Sequence, residues 1–297
     1  METLRRHLFN YGDILTFYRH YAKIAKEVIQ MKAKQSETMK EYRKHKTIER
    51  YNTVVKANTL IQNSRFSLTA QQQKIVLYII SQIEPYDEEF KLYSFEITEF
   101  CKLCGIEPKG ANYNFLKTAI KDIADKSIWV KLDSGRETLV RWIEKPYIDE
   151  QSGMIQIKLD KDMKPFLLQL KEKFTKYELI YTLNFKSKYS IRLYEFLKSI
   201  HYTPLKSYSQ TIEIKKFMNL LDSTYENFKD FHTRVLKPAQ KEINSYSDII
   251  FTYELLTKGR KTTDIKINIE VKNAIDRLKQ AYNNESLLDE RNDTTNE

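Results

Sequence analysis

The chain is poor in several residue types. Its 297 residues include two cysteines, six glycines and six prolines. Two cysteines three positions apart cannot form a disulfide framework, which agrees with a reducing compartment. So little glycine and proline argues against a loop-built or collagen-like chain. The apolar run from Lys74 to Ile83, KIVLYIISQI, is far shorter than the roughly 20 residues of a membrane span. The opening METLRRHLFNYGDILTFYRHYAKIAKEVIQ carries charges through its apolar stretch, unlike a signal peptide. A cytoplasmic protein with no membrane partner is expected.

What is present is core material and positive charge. The chain is 41% hydrophobic and 12% aromatic, outside the range of disordered proteins and enough for two domains with separate cores. Lys and Arg number 50 against 40 Asp and Glu, an excess of ten that favours a polyanionic partner, nucleic acid first and a membrane surface second.

Residues 1–53 read as a basic helical extension, including KEYRKHKTIER at 40–50, either as a solvated surface helix pair or as an arm for phosphate. Residues 273–297 turn acidic and end in ESLLDERNDTTNE, which predicts a frayed, flexible tail with little to bury. Between them the elements are regular. Thr69 with Gln72 three residues on reads as a capping box before the helix running to Ile83. A short strand with Leu92, Phe95 and Ile97 precedes a helix from Thr98 that carries Phe100, Cys101, Leu103 and Cys104 and stops at Gly105. A second helix, about Asn112 to Ala124, places Tyr113, Leu116, Ile120 and Ile123 on one stripe. The runs SIWVKL (127–132) and TLVRWIEKPYI (138–148) read as a hairpin turning at Asp133, Ser134 and Gly135, and GMIQIKL (153–159) as a third strand.

This order of helix, strand, helix, turn, helix and hairpin then recurs. YSIRLYEFLKSI (189–200) opens the second copy, QTIEIKKFMNLLD (210–222) repeats SFEITEFCKLCG, and NFKDFHTRVLKPAQKEI (227–243) is the following helix, with Phe228, Phe231, Val235 and Ala239 on its stripe. SDIIFTYELL (247–256) matches KSIWVKL, and DIKINIEV returns after TKGRKT, at an offset of about 117 to 121 residues. The fold class is therefore α+β: two tandem winged-helix domains related by internal duplication, over 54–165 and 166–272, behind an N-terminal helical extension. Pro238 lies inside the second long helix and predicts a kink, since it lacks the N–H that would bond the Arg234 carbonyl.

The repeat also tests the chemical motifs. Cys101 falls opposite Met218 and Cys104 opposite Leu221, both apolar, so the C-x-x-C pair reads as packing; no further ligands complete a zinc site. Gly105 and Gly110 have P-loop spacing, but Ala111 and Asn112 stand where Lys and Ser or Thr belong. His7, His20, His45, His201 and His232 make no H-x-H pair for a metal-dependent nickase. No enzymatic activity, cofactor or metal is expected.

In a helix-turn-helix the second helix enters the major groove and the wing contacts the flanking backbone. With Phe228, Phe231 and Val235 inward, Asp230, Thr233, Arg234, Lys237 and Lys241 face outward, with Lys229 and His232 at the margin. Arg234 is the strongest base-reading candidate, because Arg can bond two acceptors on guanine. Lys258, Arg260 and Lys261 on the second wing are candidates for phosphate. The first domain presents the less basic set Asn114, Lys117, Thr118 and Lys121, for a weaker DNA contact, a dimer surface, or both.

Several of these segments resemble the iteron-type plasmid replication initiators: VVKANTLIQNSRFSLTAQQQKIVLYIISQI (54–83), KFTKYELIYTLNFKSKYSIRLYEFLKSI (173–200) with its Ser190-Ile191-Arg192-Leu193-Tyr194, VLKPAQKEIN (235–244) and the wing DIIFTYELLTKGRKTTDIKINIEV. The resemblance spans about residues 54–271 and leaves the extension before it unexplained, so Met31 or Met39 could also serve as starts. It implies a sequence-specific, non-catalytic binder of double-stranded DNA at tandem origin repeats. It also implies recruitment of a host initiator ATPase and the replicative helicase, a monomer–dimer balance, and autorepression by dimers. A winged-helix transcription regulator without an origin role shares every feature read from the residues alone.

Overall fold

The computed structural model describes residues 49–106, 111–149, 151–201, 206–221 and 224–293. The chain divides into two units, Met1–Glu49 and Arg50–Glu297, and every element named below belongs to the second. Most of the basic extension, with Met31 and Met39, lies outside the described residues, as does Gly110.

The first domain runs β1 (Thr53–Ala57), α1 (Asn58–Gln62), β2 (Ser64–Arg65), α2 (Ala70–Ile80), β3 (Leu92–Glu96), α3 (Ile97–Leu103), α4 (Ala111–Asp125), β4 (Ser127–Lys131), β5 (Glu137–Arg141), β6 (Ile143–Ile148) and β7 (Met154–Leu159). The capping box that opens α2 is present: the Gln72 N–H donates to Thr69 Oγ1 at 3.2 Å and the Thr69 N–H to Gln72 Oε1 at 3.0 Å. On α4, Leu116, Ile120 and Ile123 are buried against the core, as the stripe requires. Gly105 takes φ +64° where α3 ends, and a Cβ there would sit 3.0 Å from the Leu288 side chain, so both conformation and space call for glycine.

Strand pairing departs from the sequence reading. The run 138–148 is not one strand, because Trp142, 1% exposed, turns into the core and splits it into β5 and β6. β4 pairs with β5 on one side and β2 on the other, whereas β6 pairs with β7 and β7 with β3. In the second domain the corresponding order is β10-β11-β9. By pairing, then, the first-domain counterpart of the second wing is β6–β7, and SIWVKL belongs to an additional hairpin. Alternation and turn residues mark strands but do not say which neighbour each strand will take.

A 3-10 turn (Lys161–Met163), α5 (Lys164–Leu167), β8 (Phe174–Glu178) and α6 (Ile180–Leu183) lead to the second domain. β8 pairs with β1 from Thr53↔Glu178 to Ala57↔Phe174, so a ladder links residues on both sides of the expected boundary at 165/166. The second domain comprises α7 (Lys188–Ile200), β9 (Ser207–Glu213), α8 (Ile214–Leu220), α9 (Phe228–Phe231), a π turn (His232–Leu236), α10 (Lys237–Tyr246), β10 (Ile249–Lys258) and β11 (Lys261–Val271).

In place of a simple kink at Pro238 there is the π turn just before it, in which the Lys237 N–H bonds the His232 carbonyl five residues back. Its cause lies in the core spacing. Phe231, Val235, Ala239 and Ile243 are all buried at steps of four. At 3.6 residues per turn each such step rotates about 40° past a full turn, and one under-wound turn absorbs part of the drift. Pro238 falls in the first turn of α10, where a missing N–H is tolerated.

The expected tail is also corrected. Residues 274–293 form helix α11 (Ala274–Asp293), which buries Ala281, Asn284 and Leu288. Its partners are polar as well as apolar. Asn284 Nδ2 donates to the Tyr246 carbonyl at 2.6 Å, and Gln280 Nε2 to the Ser245 carbonyl at 2.6 Å, capping the end of α10.

Between the two domains runs α7. On one side Glu195 is buried with Lys56 of β1, Nζ to Oε1 2.7 Å, and accepts the Tyr177 hydroxyl at 2.7 Å. On the other, Asp248 at the head of β10 accepts Tyr194 Oη at 2.8 Å and Lys198 Nζ at 2.7 Å. Burial opposes ionisation of Asp248, but the Lys198 ammonium and the Tyr194 hydroxyl outweigh it and hold the carboxyl below its usual range.

Candidate nucleic-acid interface

The second helix of the second helix-turn-helix is built from α9, the π turn and α10. Asn227 caps its start, accepting the Asp230 N–H at 2.9 Å. Phe231 packs on Phe217 of α8 at 5.9 Å, edge to face, which fixes the two helices of the motif against each other. With the core side so committed, Lys229, Thr233, Arg234, Lys237 and Lys241 are all exposed. Thr233, Lys237 and Lys241 share the four-residue step of the buried row, so the π turn keeps them in line on the opposite side.

His232 stands differently. It is half-buried, stacked on Phe228 at 5.6 Å and 26°, with Nε2 2.9 Å from Tyr253 Oη of β10. Burial, and then the nearby Lys237 charge, lower its pKa, so the neutral ring is favoured. It braces this helix on the wing strand. The wing itself turns at Gly259, φ +62°, with Lys258, Arg260 and Lys261 exposed around it. A bulge between Leu256 and Thr257 precedes the turn.

In the first domain Asn114, Thr118 and Lys121 are exposed on α4, and Lys117 is half-buried with Nζ 5.9 Å from the Tyr113 ring centroid. The turn of the pairing-defined first wing, between β6 and β7, includes Asp149 and Ser152. It lacks the cationic character of the second wing. The structure thus gathers the second-domain candidates on one helix and one turn, and leaves the first-domain set on a separate helix.

Some side chains were not anticipated. Phe115 is 53% exposed beside Asn114. Lys215 and Lys216 are exposed on α8. Arg65 and Trp129 are opposed across β2–β4 and Trp129 and Leu139 across β4–β5, with Lys131 and Arg141 exposed on the same strands. The strict in–out alternation of β4 was the available signal for that row.

The cysteines are packing residues. They are 0% and 2% exposed, and burial pushes the Cys101 thiol up to about 12 and Cys104 up to about 11, so neither supplies a thiolate near neutrality. Among the described residues no cluster of three or more His, Cys, Asp or Glu is arranged for a metal ion, and no helix is long and apolar enough to cross a membrane.

Comparison with known proteins bears on this arrangement. Residues 53–198 match the family model described as Initiator Replication protein, WH1, and residues 211–269 that described as Initiator Rep protein, WH2. A replication initiation protein of Escherichia coli is 29% identical over 242 residues, 78% of this chain and 74% of that protein. The crystal structure of the Pi initiator protein in complex with iteron DNA shares the fold with a TM-score of 0.63 at 19% identity, over 75% of this chain and 98% of that one. With both winged-helix units matched in order, the chain belongs to the family of initiator replication proteins.

Proposed function

We propose that this protein is a sequence-specific initiator of plasmid replication that binds double-stranded DNA at tandem origin repeats. The observation that carries the reading is the exposed row Thr233, Arg234, Lys237 and Lys241 on the second helix of the second helix-turn-helix, flanked by the wing cations Lys258, Arg260 and Lys261. Such a helix offers its donors to base edges while the wing holds phosphate. The first domain adds a weaker DNA contact, a dimer surface, or both, through Asn114, Lys117, Thr118 and Lys121. The family and the iteron DNA held by the Pi initiator support this assignment. The protein acts in the cytoplasm without chemistry of its own, recruits a host initiator ATPase and the replicative helicase, and as a dimer represses its own promoter.

Footprinting of the full chain on the DNA flanking its gene tests the reading. Protection of tandem direct repeats is expected; protection of a lone palindrome would assign a transcription regulator instead. Supercoiled repeat DNA incubated with protein and a divalent metal should stay unnicked.

A further inference from the structure

Arg192 of α7 is 5% exposed, yet it touches both domains. Its Nη2 donates at 3.0 Å to the Ser64 carbonyl of β2 and at 3.0 Å to the Leu220 carbonyl, the last residue of α8. The guanidinium lies 4.3 Å from the Phe66 ring centroid, and Phe66 meets Trp142 edge-on at 5.2 Å. Ser64 pairs with Val130 of β4, so the first-domain end of the bridge belongs to a sheet. Leu220 leads into the turn before the reader helix, so the other end belongs to the DNA-reading motif.

The first domain offers a parallel. Leu103 ends α3 as Leu220 ends α8, and its carbonyl accepts Arg50 Nε at 3.2 Å while Lys102 accepts Nη2 at 3.0 Å. Both helix-turn-helix units therefore have the carbonyl end of their first helix held by a buried arginine from outside the motif. A planar fork stacked on a ring can serve carbonyls in two directions, whereas a lysine ammonium cannot reproduce both the stacking and the fork.

We infer that Arg192 is a positioning residue that fixes the second-domain reader relative to the first domain, and so sets the spacing at which one DNA repeat must present its two contacts. This rests on the proposed function. α8 also has its own core contacts through Ile214 and Phe217, which do not involve Arg192. What Arg192 supplies is a shared frame for the two readers.

The test uses the full chain, its footprinted repeat, the same repeat with one base pair inserted between the segments protected by the two domains, and a duplex carrying the second-domain segment alone. The insertion misplaces one of the two contacts and should weaken wild type about 10-fold, which is about 1.4 kcal/mol. Arg192→Met and Arg192→Lys should bind the intact repeat about 10-fold more weakly, lose less than about 3-fold on insertion, and match wild type on the single segment. A full insertion penalty in Arg192→Met, or an equal loss on the single segment, overturns the inference. If Arg192→Met shows no cooperative melt, Phe66→Leu carries the test: a smaller insertion penalty than wild type supports the inference and an unchanged one overturns it. Failure of wild type to bind the repeat at all overturns the proposed function, and the inference with it.

Discussion

Arg234 projects from a helix whose opposite side is core, so truncating it removes no packing. Arg234→Ala is expected to cost about 1–3 kcal/mol on the cognate repeat and to relax specificity at one base position, whereas Lys261→Ala should weaken all sequences alike. Binding titrations across salt separate the two, since loss of one phosphate contact lowers the log–log slope by about 0.9. At this scale legibility was uneven. Local patterns revealed the Thr69 capping box and the glycine at 105, because each depends on neighbours within a turn, and the internal repeat revealed the cysteines as packing residues. Lys56 and Glu195 lie 139 residues apart, and nothing near either residue announces the pair. Arg192 stood within a quoted motif, but its bond partners at Ser64 and Leu220 come from other elements.

Among the elements, α11 was the least visible. Its buried row is Ala281, Asn284 and Leu288, and an asparagine in the middle of an acidic segment hides the apolar stripe on which helix recognition depends. Asn284 is buried there because the ends of neighbouring helices offer it carbonyls. Leu288 is 0% exposed against Gly105, so Leu288→Ala should lower stability by about 2–5 kcal/mol, measurable as a shift in urea midpoint. A true tail residue would give no shift. The split at Trp142 and the π turn were hidden for a different reason. Both are adjustments to the core, one to seat an indole and one to keep four-residue steps in register, and the strand and helix propensities on either side of them are unremarkable.

For the molecule as a whole, the duplication was readable because both copies list strand, helix, helix and wing in that order, the first with an additional hairpin before its wing, while the joint between the copies was not. The joint is polar and buried. Glu178, at the end of β8, is raised to about 7, first by burial and then by the Asp248 charge, against lowering by Arg277 and Lys198. A carboxyl whose native pKa is raised favours the folded state most below its unfolded value near 4.5 and loses that contribution as pH rises through about 7. Stability should therefore fall between pH 5 and pH 8 by an amount on the order of 2–3 kcal/mol from this group. Thermal melts of Glu178→Gln should show a flatter dependence over that window and a higher melting temperature at pH 8 than wild type. Asp248 has the opposite sign: its depressed pKa stabilises the joint above the ordinary aspartate range, and that contribution is lost in acid.

The docking of α11 bears on the order in which the chain completes itself during synthesis. Arg50, before the first domain, donates to Asp289 at 2.8 Å while capping α3, and Gly105 meets Leu288. A ribosome delivers residues 50 to 271 well before it delivers these partners, and domains generally fold as they emerge. The first helix-turn-helix therefore completes its contacts only when α11, with the Arg50 partner Asp289, has been made. A chain cut short after the second wing holds both helix-turn-helix units but not the clasp, so a proteolytic or nonsense product would lose the Asp289 and Leu288 contacts of the first domain and the Gln280 and Asn284 caps on α10 of the second.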